Sequence, residues 1–526
     1  MTTTARRVAA VLASLIAPVS FLTAQPSVTA ARPSLIVLIT IDQMRGDYLT
    51  RFGPQLTGGL ARLSRGGAWY TNAHHDHAIT ETAPGHATLL AGRFPRSTGI
   101  TANRVGVEDP QSPLIAGGVG TGASPRRFIG TTLTDWLIAA DPQSRTLSVS
   151  TKDRAAILPA GRTRADVYWY SLDGRFTTST YYRDSLPSWV TVWNNRHFPQ
   201  TFNGKSWTLL LPEGAYPEKD SVPAEAAGVG FVFPHIMPED ETAPSVLRGT
   251  PFIDDVTLSF AIHGVQSLAL GARSHTDLLA VSLSGTDFIG HRYGPDSREI
   301  HDQILRLDRT LGVFLDSLYR LRDSSRVTIV LTGDHGGGTM PELAPASMQP
   351  RPVHVTIGPQ VRALRAALTA AHVDSLAIDF DVQAISVNRA AFAAAHVNAD
   401  STMSALAESL RRVPGVARVD HFHALLADTL TDPIARRWSH QFPASSDIDL
   451  VITLTPLSLW GNAISSHGSP YDYDSNVPLV FYGAGVRPGM HADFVRTVDL
   501  APTLAALAGV RLTQVVDGVI LTGALK

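Results

Sequence analysis

Three apolar runs that end at acidic residues constrain this sequence most. Residues 34–41 form a continuous apolar, β-branched run that stops at Asp42, and residues 278–283 and 326–332 form two similar runs. Continuous rather than alternating runs are typical of parallel strands covered on both faces. Between the last two runs, residues 300–321 carry apolar side chains at three- and four-residue spacing, which predicts an amphipathic helix. The pattern therefore predicts an α/β fold containing a βαβ unit.

The ends of these runs predict where function lies. Asp42 follows the first run, Asp287 comes shortly after the second, and Asp334 and His335 follow the third. Open α/β sheets bind ligands beyond the carboxyl ends of their strands. We therefore expect these side chains to meet at one sheet edge, although any one of the aspartates could instead cap a helix.

Composition excludes several functional classes. The 526 residues carry 44 Lys and Arg against 46 Asp and Glu, and the resulting net charge of -2 provides no general attraction to nucleic acid. Cysteine is absent, which excludes disulfides, thiolate metal sites and a cysteine nucleophile. Because single cores stop growing near ~250–300 residues, a chain of this length implies a large domain with insertions or several domains.

We predict a core interrupted by two further segments. The catalytic core is expected in residues 31–155, 251–345 and 441–526. Residues 156–250 are rich in aromatic residues and turn signals and are expected to form a β-rich aromatic insertion. Residues 346–440, with alanine-rich helical patterns between short strands, are expected to form a small α+β cap.

The N-terminus has the pattern of an export signal. Arg6 and Arg7 precede an apolar run that is followed by small residues, which predicts a signal peptide over residues 1–24 with cleavage as late as residue 30. An uncleaved membrane anchor is the alternative, but Pro18 interrupts the run, which is short for the ~20 residues that a span needs. We expect a periplasmic or secreted protein, monomeric and without a stable membrane anchor.

Side chains of metal-ligand type gather after the predicted strands. The set consists of Asp42, Asp287, His291, Asp334, His335 and His467. Three aspartates and three histidines suffice for two adjacent sites of mixed oxygen and nitrogen ligands, for which zinc is favoured over manganese or iron. Two metals ~4 Å apart support in-line phosphoryl transfer, which requires a nucleophile. Thr82 precedes Ala-Pro-Gly, where a helix can begin and support a phosphate, although Thr82 could also be an ordinary cap.

The motifs resemble those of a known superfamily. In chain order they are Asp42, Thr82 within Thr-Ala-Pro-Gly-His, Asp287, His291, Asp334, His335 and His467. They resemble the metal and nucleophile set of the alkaline phosphatase superfamily, in particular its single-chain bacterial (PafA-type) members with a threonine nucleophile. The resemblance implies a mostly parallel central sheet with helices on both faces and inserted cap segments. It also implies two Zn²⁺ ions. One would be held by Asp42, Asp334 and His335 with Thr82 bridging toward it, and the other by Asp287, His291 and His467.

Three further residues favour a phosphomonoester as substrate. Asn103, which follows Thr82 by twenty-one residues, and the pair Lys152 and Arg154 resemble the side chains that contact phosphoryl oxygens in this group. A monoester is a dianion with three non-bridging oxygens, so a lysine point charge and an arginine fork both gain partners. Only four of the 44 cationic residues are lysines, which makes the position of Lys152 notable.

The function expected from these observations is that of an exported, zinc-dependent alkaline phosphatase. It would hydrolyse small-molecule phosphate monoesters through a covalent phosphothreonine intermediate, with no nucleic acid as partner. The alternative is a nucleotide pyrophosphatase/phosphodiesterase of the same superfamily, which shares the metals and the threonine. A sulfatase is disfavoured because Thr82 stands where that branch needs Cys or Ser. A silent phosphate or metal binder is disfavoured because ligands, nucleophile and phosphate contacts are all retained.

Overall fold

The computed structural model describes residues 32–115, 118–381 and 383–526, so the predicted signal peptide, residues 1–24, lies outside the described residues. The strands are β1 Leu35–Ile41, β2 Ala68–His74, β3 Thr146–Ser150, β4 Asp166–Tyr170, β5 Phe176–Thr177, β6 Ser206–Trp207, β7 His235–Ile236, β8 Asp277–Leu283, β9 Val327–Gly333, β10 His354–Val355, β11 Ile378–Asp381, β12 Ala384–Val387, β13 Val416–His421, β14 Ile448–Leu454, β15 Leu459–Trp460, β16 Asn476–Gly483, β17 Gly489–His491 and β18 Val495–Arg496.

The α-helices range from single turns to one of 24 residues. They are α1 Tyr48–Arg51, α2 Gly59–Gly66, α3 Thr82–Leu89, α4 Pro95–Thr98, α5 Leu133–Ala140, α6 Asp153–Ala160, α7 Ser188–Asn194, α8 Ala243–Leu247, α9 Phe252–Ser267, α10 Gly285–Tyr293, α11 Arg298–Leu321, α12 Gly358–Ala370, α13 Arg389–Ala394, α14 Ala399–Leu410, α15 Phe422–Leu425, α16 Pro433–Gln441, α17 Asp472–Ser475 and α18 Leu500–Ala508. Within the described ranges, none of these helices combines the length and apolar character needed to span a bilayer.

A large, mostly parallel sheet forms the centre of the molecule. Its strand order is β17-β2-β16-β9-β1-β8-β3-β4-β5, and β18 also pairs with β2. The pairs of β1 with β8 and β9, and of β3 with β8 and β4, are parallel, whereas β16 is antiparallel to both its neighbours. The predicted strand–helix–strand unit is present as β8, α11 and β9.

Both faces of this sheet are covered, as continuous apolar strands require. All seven residues of β1 are buried, and its six apolar side chains lie in two separate hydrophobic clusters, one on each face. Leu35, Val37 and Ile39 pack with residues of α2, α9 and α11, and Ile36 and Leu38 pack with residues of α5 and α18. The predicted fold class is therefore confirmed.

The second sheet belongs to a smaller α+β unit. Strands β11, β12, β14 and β13 are antiparallel neighbours in that order. Residues of α12, α13 and α14 pack on them in a separate cluster that contains Phe392, Met403 and Leu410. Because β14 is a central strand of this sheet, the unit extends to Leu454, whereas the sequence led us to end the cap at residue 440.

The segment of residues 156–250 differs from the predicted β-rich insertion. Its longest strand, β4, pairs parallel with β3 and is part of the central sheet, and β5, β6 and β7 have two residues each. Tyr168, Tyr170 and Trp193 are buried in the same cluster as β1 rather than in a core of their own. Aromatic residues and turns predicted strands here, but these side chains fill the space between the sheet edge and α9.

Candidate active site

Strand register brings the predicted residues to one edge of the central sheet. Ile41, the last residue of β1, is opposite Leu283 of β8 and Gly333 of β9. The next residues in each strand therefore emerge side by side. They are Asp42, the start of α10 with Asp287 in its first turn, and Asp334. This arrangement is the one that the apolar runs predicted.

Two groups of candidate ligand atoms lie at this edge. Within each group, the atoms lie within 4.8 Å of one another. In one group, Asp287 Oδ1 is 3.3 Å from His291 Nε2 and 3.6 Å from His467 Nε2. In the other, His335 Nε2 is 3.4 Å from Asp42 Oδ1 and 4.0 Å from Asp287 Oδ1. Asp287 thus belongs to both groups, whereas the resemblance implied that it serves one metal only.

Asp334 borders the second group rather than entering it. Its Oδ2 is 3.5 Å from His335 Nε2, and its Oδ1 accepts a hydrogen bond from the backbone N–H of Gln43 (3.1 Å). All six predicted ligands are therefore together, and Asp334 lies beside the group of Asp42, Asp287 and His335.

The three histidines are oriented alike. The Nδ1 of His291, His335 and His467 lies 2.8–2.9 Å from the backbone carbonyls of Ser465, Gly336 and Thr80 respectively. Since a carbonyl can only accept, each Nδ1 carries a proton, and in the neutral ring the Nε2 lone pair faces the carboxylates. That tautomer is the one a metal ligand requires.

The residues present fit divalent cations. Asp42 Oδ1, Asp334 Oδ2 and His335 Nε2 are buried and have no hydrogen-bond partner in the described structure, although buried polar atoms nearly always have one. Burial and Asp287 would raise the pKa of Asp42, but Lys152 and His335 hold it below its usual range. Burial would lower the pKa of His335, yet Asp334 and Asp42 raise it to about 9. Carboxylates kept ionised beside imidazoles form a site for a positively charged ion.

Thr82 is the first residue of α3 and is almost completely buried. The helix can approach the sheet edge because of Gly85, where an added Cβ would lie 2.2 Å from the carbonyl oxygen of Asp334. His86 fixes the same turn, since its Nδ1 is 2.9 Å from the Thr82 carbonyl and its Nε2 is 2.8 Å from Ser282 Oγ. Gly85 and His86 thereby hold the first turn of α3 against Asp334.

Lys152 connects Thr82 to both ligand groups. It precedes α6, at the carboxyl end of β3, and its side chain is buried. Its Nζ lies 2.5 Å from Asp287 Oδ2, 2.6 Å from Asp42 Oδ2 and 3.4 Å from Thr82 Oγ1. The ammonium group therefore neutralises carboxylates of the candidate metal ligands, a role that the sequence did not indicate.

Asn103 and Arg154 border the same region. Asn103 Oδ1 accepts the backbone N–H of Ala83, and its own backbone N–H donates to Glu81 Oε2 (2.9 and 2.6 Å), so its amide nitrogen remains available to an oxygen. Arg154 and Lys152 line one cavity of about 220 Å³. Within the described residues, the Arg154 guanidinium has no hydrogen bond or ion pair with Thr82 or the metal ligands.

Two residues that support the site were not found from the sequence. Gln43 has a positive φ of 61° and donates its side-chain N–H to Asp287 Oδ1 (3.4 Å). Asp474 accepts from Ser469 N–H and hydroxyl, and its carbonyl accepts from Gly336 N–H, which connects the loops of His467 and His335. Burial raises the pKa of Asp474 to about 6. For these two residues, the only indication in the sequence was the position of Gln43 directly after Asp42.

The His74–His77 segment, which also has metal-ligand composition, lies outside both ligand groups. His75 Nε2 is bonded to the carbonyl of Gly333, and Asp76 pairs with Arg436 (3.1 Å). Both contacts are structural, so these histidines support the strand ends rather than the six-ligand set.

Comparisons with known proteins agree with this geometry. The family described as type I phosphodiesterase / nucleotide pyrophosphatase matches residues 36–436. The chain is 30% identical over 510 residues to alkaline phosphatase PafA of Elizabethkingia meningoseptica, covering 92% of this chain and 93% of that protein. It is 32% identical over 540 residues to alkaline phosphatase PhoV of Synechococcus elongatus, covering 95% of each.

A solved structure supports the same relationship. The crystal structure of wild type PafA superposes with a TM-score of 0.85 at 28% identity and covers 94% of this chain and 99% of that one. A PafA variant substituted at a threonine, an asparagine, a lysine and an arginine superposes with a TM-score of 0.87.

The chain belongs to the type I phosphodiesterase / nucleotide pyrophosphatase family, within the alkaline phosphatase superfamily. The predicted resemblance to PafA-type proteins is confirmed, and so is the prediction of a phosphoric monoester hydrolase.

Proposed function

We propose that this protein is an exported, zinc-dependent alkaline phosphatase that hydrolyses phosphate monoesters through a phosphothreonine intermediate. One observation carries the proposal. Lys152 Nζ lies within 3.4 Å of the Thr82 hydroxyl and within 2.6 Å of one carboxylate from each ligand group. Nucleophile, cation and both candidate metal groups therefore meet at one point.

Zinc is the proposed metal because the ligands are carboxylate oxygens and neutral imidazole nitrogens. Asp42, Asp334 and His335 would hold one ion, with Thr82 beside it. Asp287, His291 and His467 would hold the other, and the position of Asp287 in both groups would allow it to face both ions. Such ions lower the pKa of a hydroxyl and stabilise charge on a leaving oxygen.

The residues of the chain then have separate tasks. The Thr82 hydroxyl loses its proton to solvent, and its Oγ forms a bond to phosphorus while the bond from phosphorus to the ester oxygen breaks. The alcohol leaves with a proton from solvent. Water next attacks the phosphothreonine, which releases inorganic phosphate and restores the hydroxyl. The amide nitrogen of Asn103, the ammonium of Lys152 and the guanidinium of Arg154 would donate to the non-bridging oxygens.

The ion pairs of Lys152 fit this assignment. A divalent cation bound by Asp42 and Asp287 would neutralise the same carboxylates, which would leave the ammonium group available to a phosphate oxygen. The residue types substituted in the PafA variant support the assignment too, since its threonine and asparagine are 21 residues apart and its lysine and arginine are two apart. The pair of Thr82 and Asn103 and the pair of Lys152 and Arg154 have the same spacings within each pair.

Domain roles and location are also proposals. We propose that the central sheet with its helices is the catalytic core, that residues 346–454 form a cap over it, and that the protein acts in the periplasm or outside the cell. The N-terminal sequence pattern supports export. A small-molecule phosphomonoester is the proposed substrate.

The test compares kcat/KM for an aryl phosphate monoester and the matching diester on zinc-loaded protein at mildly alkaline pH. We expect a strong monoester preference. Because a charge-assisted hydrogen bond contributes ~1.5–3 kcal/mol, Lys152→Ala should lower monoester turnover about 10- to 100-fold more than diester turnover.

Lys219→Ala is the matched control, since Lys219 is exposed and belongs neither to the ligand groups nor to the lining of the cavity beside Lys152. It should leave both rates unchanged. Diester preference in the wild-type protein would replace the proposal with the nucleotide pyrophosphatase/phosphodiesterase alternative. Metal analysis of the active protein would test zinc separately, and manganese or iron in the active form would contradict that part alone.

A further inference from the structure

Two arginines beside the candidate active site have no acidic partner. Arg154 lies in the first turn of α6, and Arg248 directly follows α8. The Nε of each is buried without a hydrogen-bond partner, and neither guanidinium forms an ion pair with any residue that the structure describes. Arg306, which is also partly buried, is paired with Asp302. A buried cation without a partner is costly to maintain, so both arginines are available to an anion.

Phe288 places Arg248 next to the reaction centre. The Arg248 guanidinium lies 4.4 Å from the centroid of the Phe288 ring, and Lys152 Nζ lies 5.2 Å from the same centroid. Phe288 directly follows Asp287, the carboxylate that belongs to both ligand groups. Cations near an aromatic ring are stabilised without losing their charge, so Arg248 keeps its donors for another group. Burial and the nearby Arg154 lower the pKa of Arg248, as expected for a cation near another cation.

The cavity between these side chains has an excess of positive charge. Lys152, Arg154 and Arg248 all line it, and its volume of about 220 Å³ is far larger than the ~10–15 Å³ that holds one water molecule. The charge of Lys152 is balanced by Asp42 and Asp287. Asp153 is the acidic residue of the lining, and its Oδ1 accepts the backbone N–H of Arg154 (2.6 Å). Two guanidinium groups therefore face one carboxylate.

The transferred phosphoryl group cannot occupy all these donors. It has three non-bridging oxygens, and the proposed function already directs Asn103, Lys152, Arg154 and two metal ions to them. These three side chains and two ions already surround the transferred group, which leaves the guanidinium of Arg248 for another anion. The fork of a guanidinium matches a second phosphate, which it can bind through two hydrogen bonds.

We propose that Arg248 binds a second phosphate group carried by the leaving group, so that bisphosphorylated small molecules are preferred substrates. The inference rests on the proposed phosphomonoesterase function and narrows its substrate class. Arg248 would determine specificity by contact with the part of the substrate that leaves, whereas Lys152 and Arg154 act on the part that is transferred.

The experiment compares kcat/KM for glucose 1,6-bisphosphate with the values for glucose 1-phosphate and glucose 6-phosphate, all followed by phosphate release. The wild-type protein should prefer the bisphosphate. In Arg248→Gln, the ratio of bisphosphate to monophosphate kcat/KM should fall about tenfold, mainly through KM, because a charge-assisted contact is lost. Arg292→Gln is the matched control, since Arg292 is exposed in the helix that carries Phe288, and it should leave the ratio unchanged.

No preference for the bisphosphate in the wild-type protein, or an equal loss on all three sugars in Arg248→Gln, would overturn the inference. If Arg248→Gln does not fold, Arg248→Lys provides the same test, because it keeps the charge but loses the fork and should still lower the ratio severalfold. Aryl phosphate hydrolysis by the wild-type protein is measured in parallel. Its absence would contradict the proposed function, whereas its presence with an unchanged sugar ratio would contradict this inference alone.

Discussion

Two buried groups of acidic side chains in this molecule have opposite pKa shifts. At the candidate active site, burial would raise the pKa of Asp287, but Lys152 and His291 hold it well below its usual range. In the Glu225 cluster, which consists of Asp220, Glu225 and Glu299, burial and the neighbouring carboxylates raise the pKa of Glu225 to about 9. Both groups are buried, so burial alone does not determine the charge of an acid in this protein.

The difference lies in the cations that surround each group. Asp287 contacts Lys152 at 2.5 Å and His291 at 3.3 Å. Glu225 Oε2 has no partner in the described structure, and Arg298 is a weaker influence on its pKa than Glu299 or Asp220. The first group is kept ionised and can hold metal, whereas Glu225 keeps its proton. Changes in the first group should therefore affect turnover, and changes in the second should affect stability.

The largest expected effect is that of removing the proposed nucleophile, Thr82. Thr82→Ala should lower kcat/KM for an aryl phosphate on the order of 10⁴-fold or more, since loss of an attacking group removes the covalent route. Metal content and thermal stability should be nearly unchanged, because the six ligands remain. Thr82→Ser keeps the hydroxyl and is the control. Turnover of Thr82→Ala at the wild-type rate would contradict the assignment of the nucleophile.

Asp287→Asn tests whether one carboxylate serves both ligand groups. Removing a residue that only orients a metal ligand lowers metal affinity or activity about 10- to 100-fold. Loss of a direct ligand should therefore lower kcat/KM by more than about 100-fold. Mass spectrometric metal analysis should show fewer than two ions per chain. Asp316→Asn changes an exposed carboxylate and should leave activity and metal content intact. Full metal content in Asp287→Asn would show that Asp287 is not a ligand.

The sequence predicted the site better than it predicted the peripheral structure. Asp42 and Asp334 could be placed together because residues after adjacent parallel strands share an edge. The contacts of Gln43 and Asp474 depend on loop conformations, which hydrophobic periodicity does not predict. We assigned strand β14 to the core from the sequence, but it pairs with β12 and β13 rather than with the central sheet. Tertiary packing determines this pairing, and the sequence pattern does not show it.

The smallest expected effect is on stability, through Glu225→Gln. Between pH ~4.5 and ~9 the folded chain holds a proton on Glu225 that the unfolded chain releases, so this residue makes wild-type stability fall as pH rises. The glutamine side chain does not titrate, so the variant lacks this linkage. Urea unfolding should therefore show a variant more stable than wild type by ~1–3 kcal/mol at pH 8, with a smaller difference at pH 5. Kinetic constants should not change.

Glu241→Gln is the control, because Glu241 is exposed and its substitution should not alter the pH dependence of unfolding. A Glu225→Gln protein that is less stable than wild type at pH 8 would contradict the prediction. It would mean that Glu225 is ionised in the folded chain and that a cation balances it, as Lys152 and the histidines balance Asp287. Both acidic groups would then be ionised, and they would differ in the side chains that surround the acid rather than in its charge.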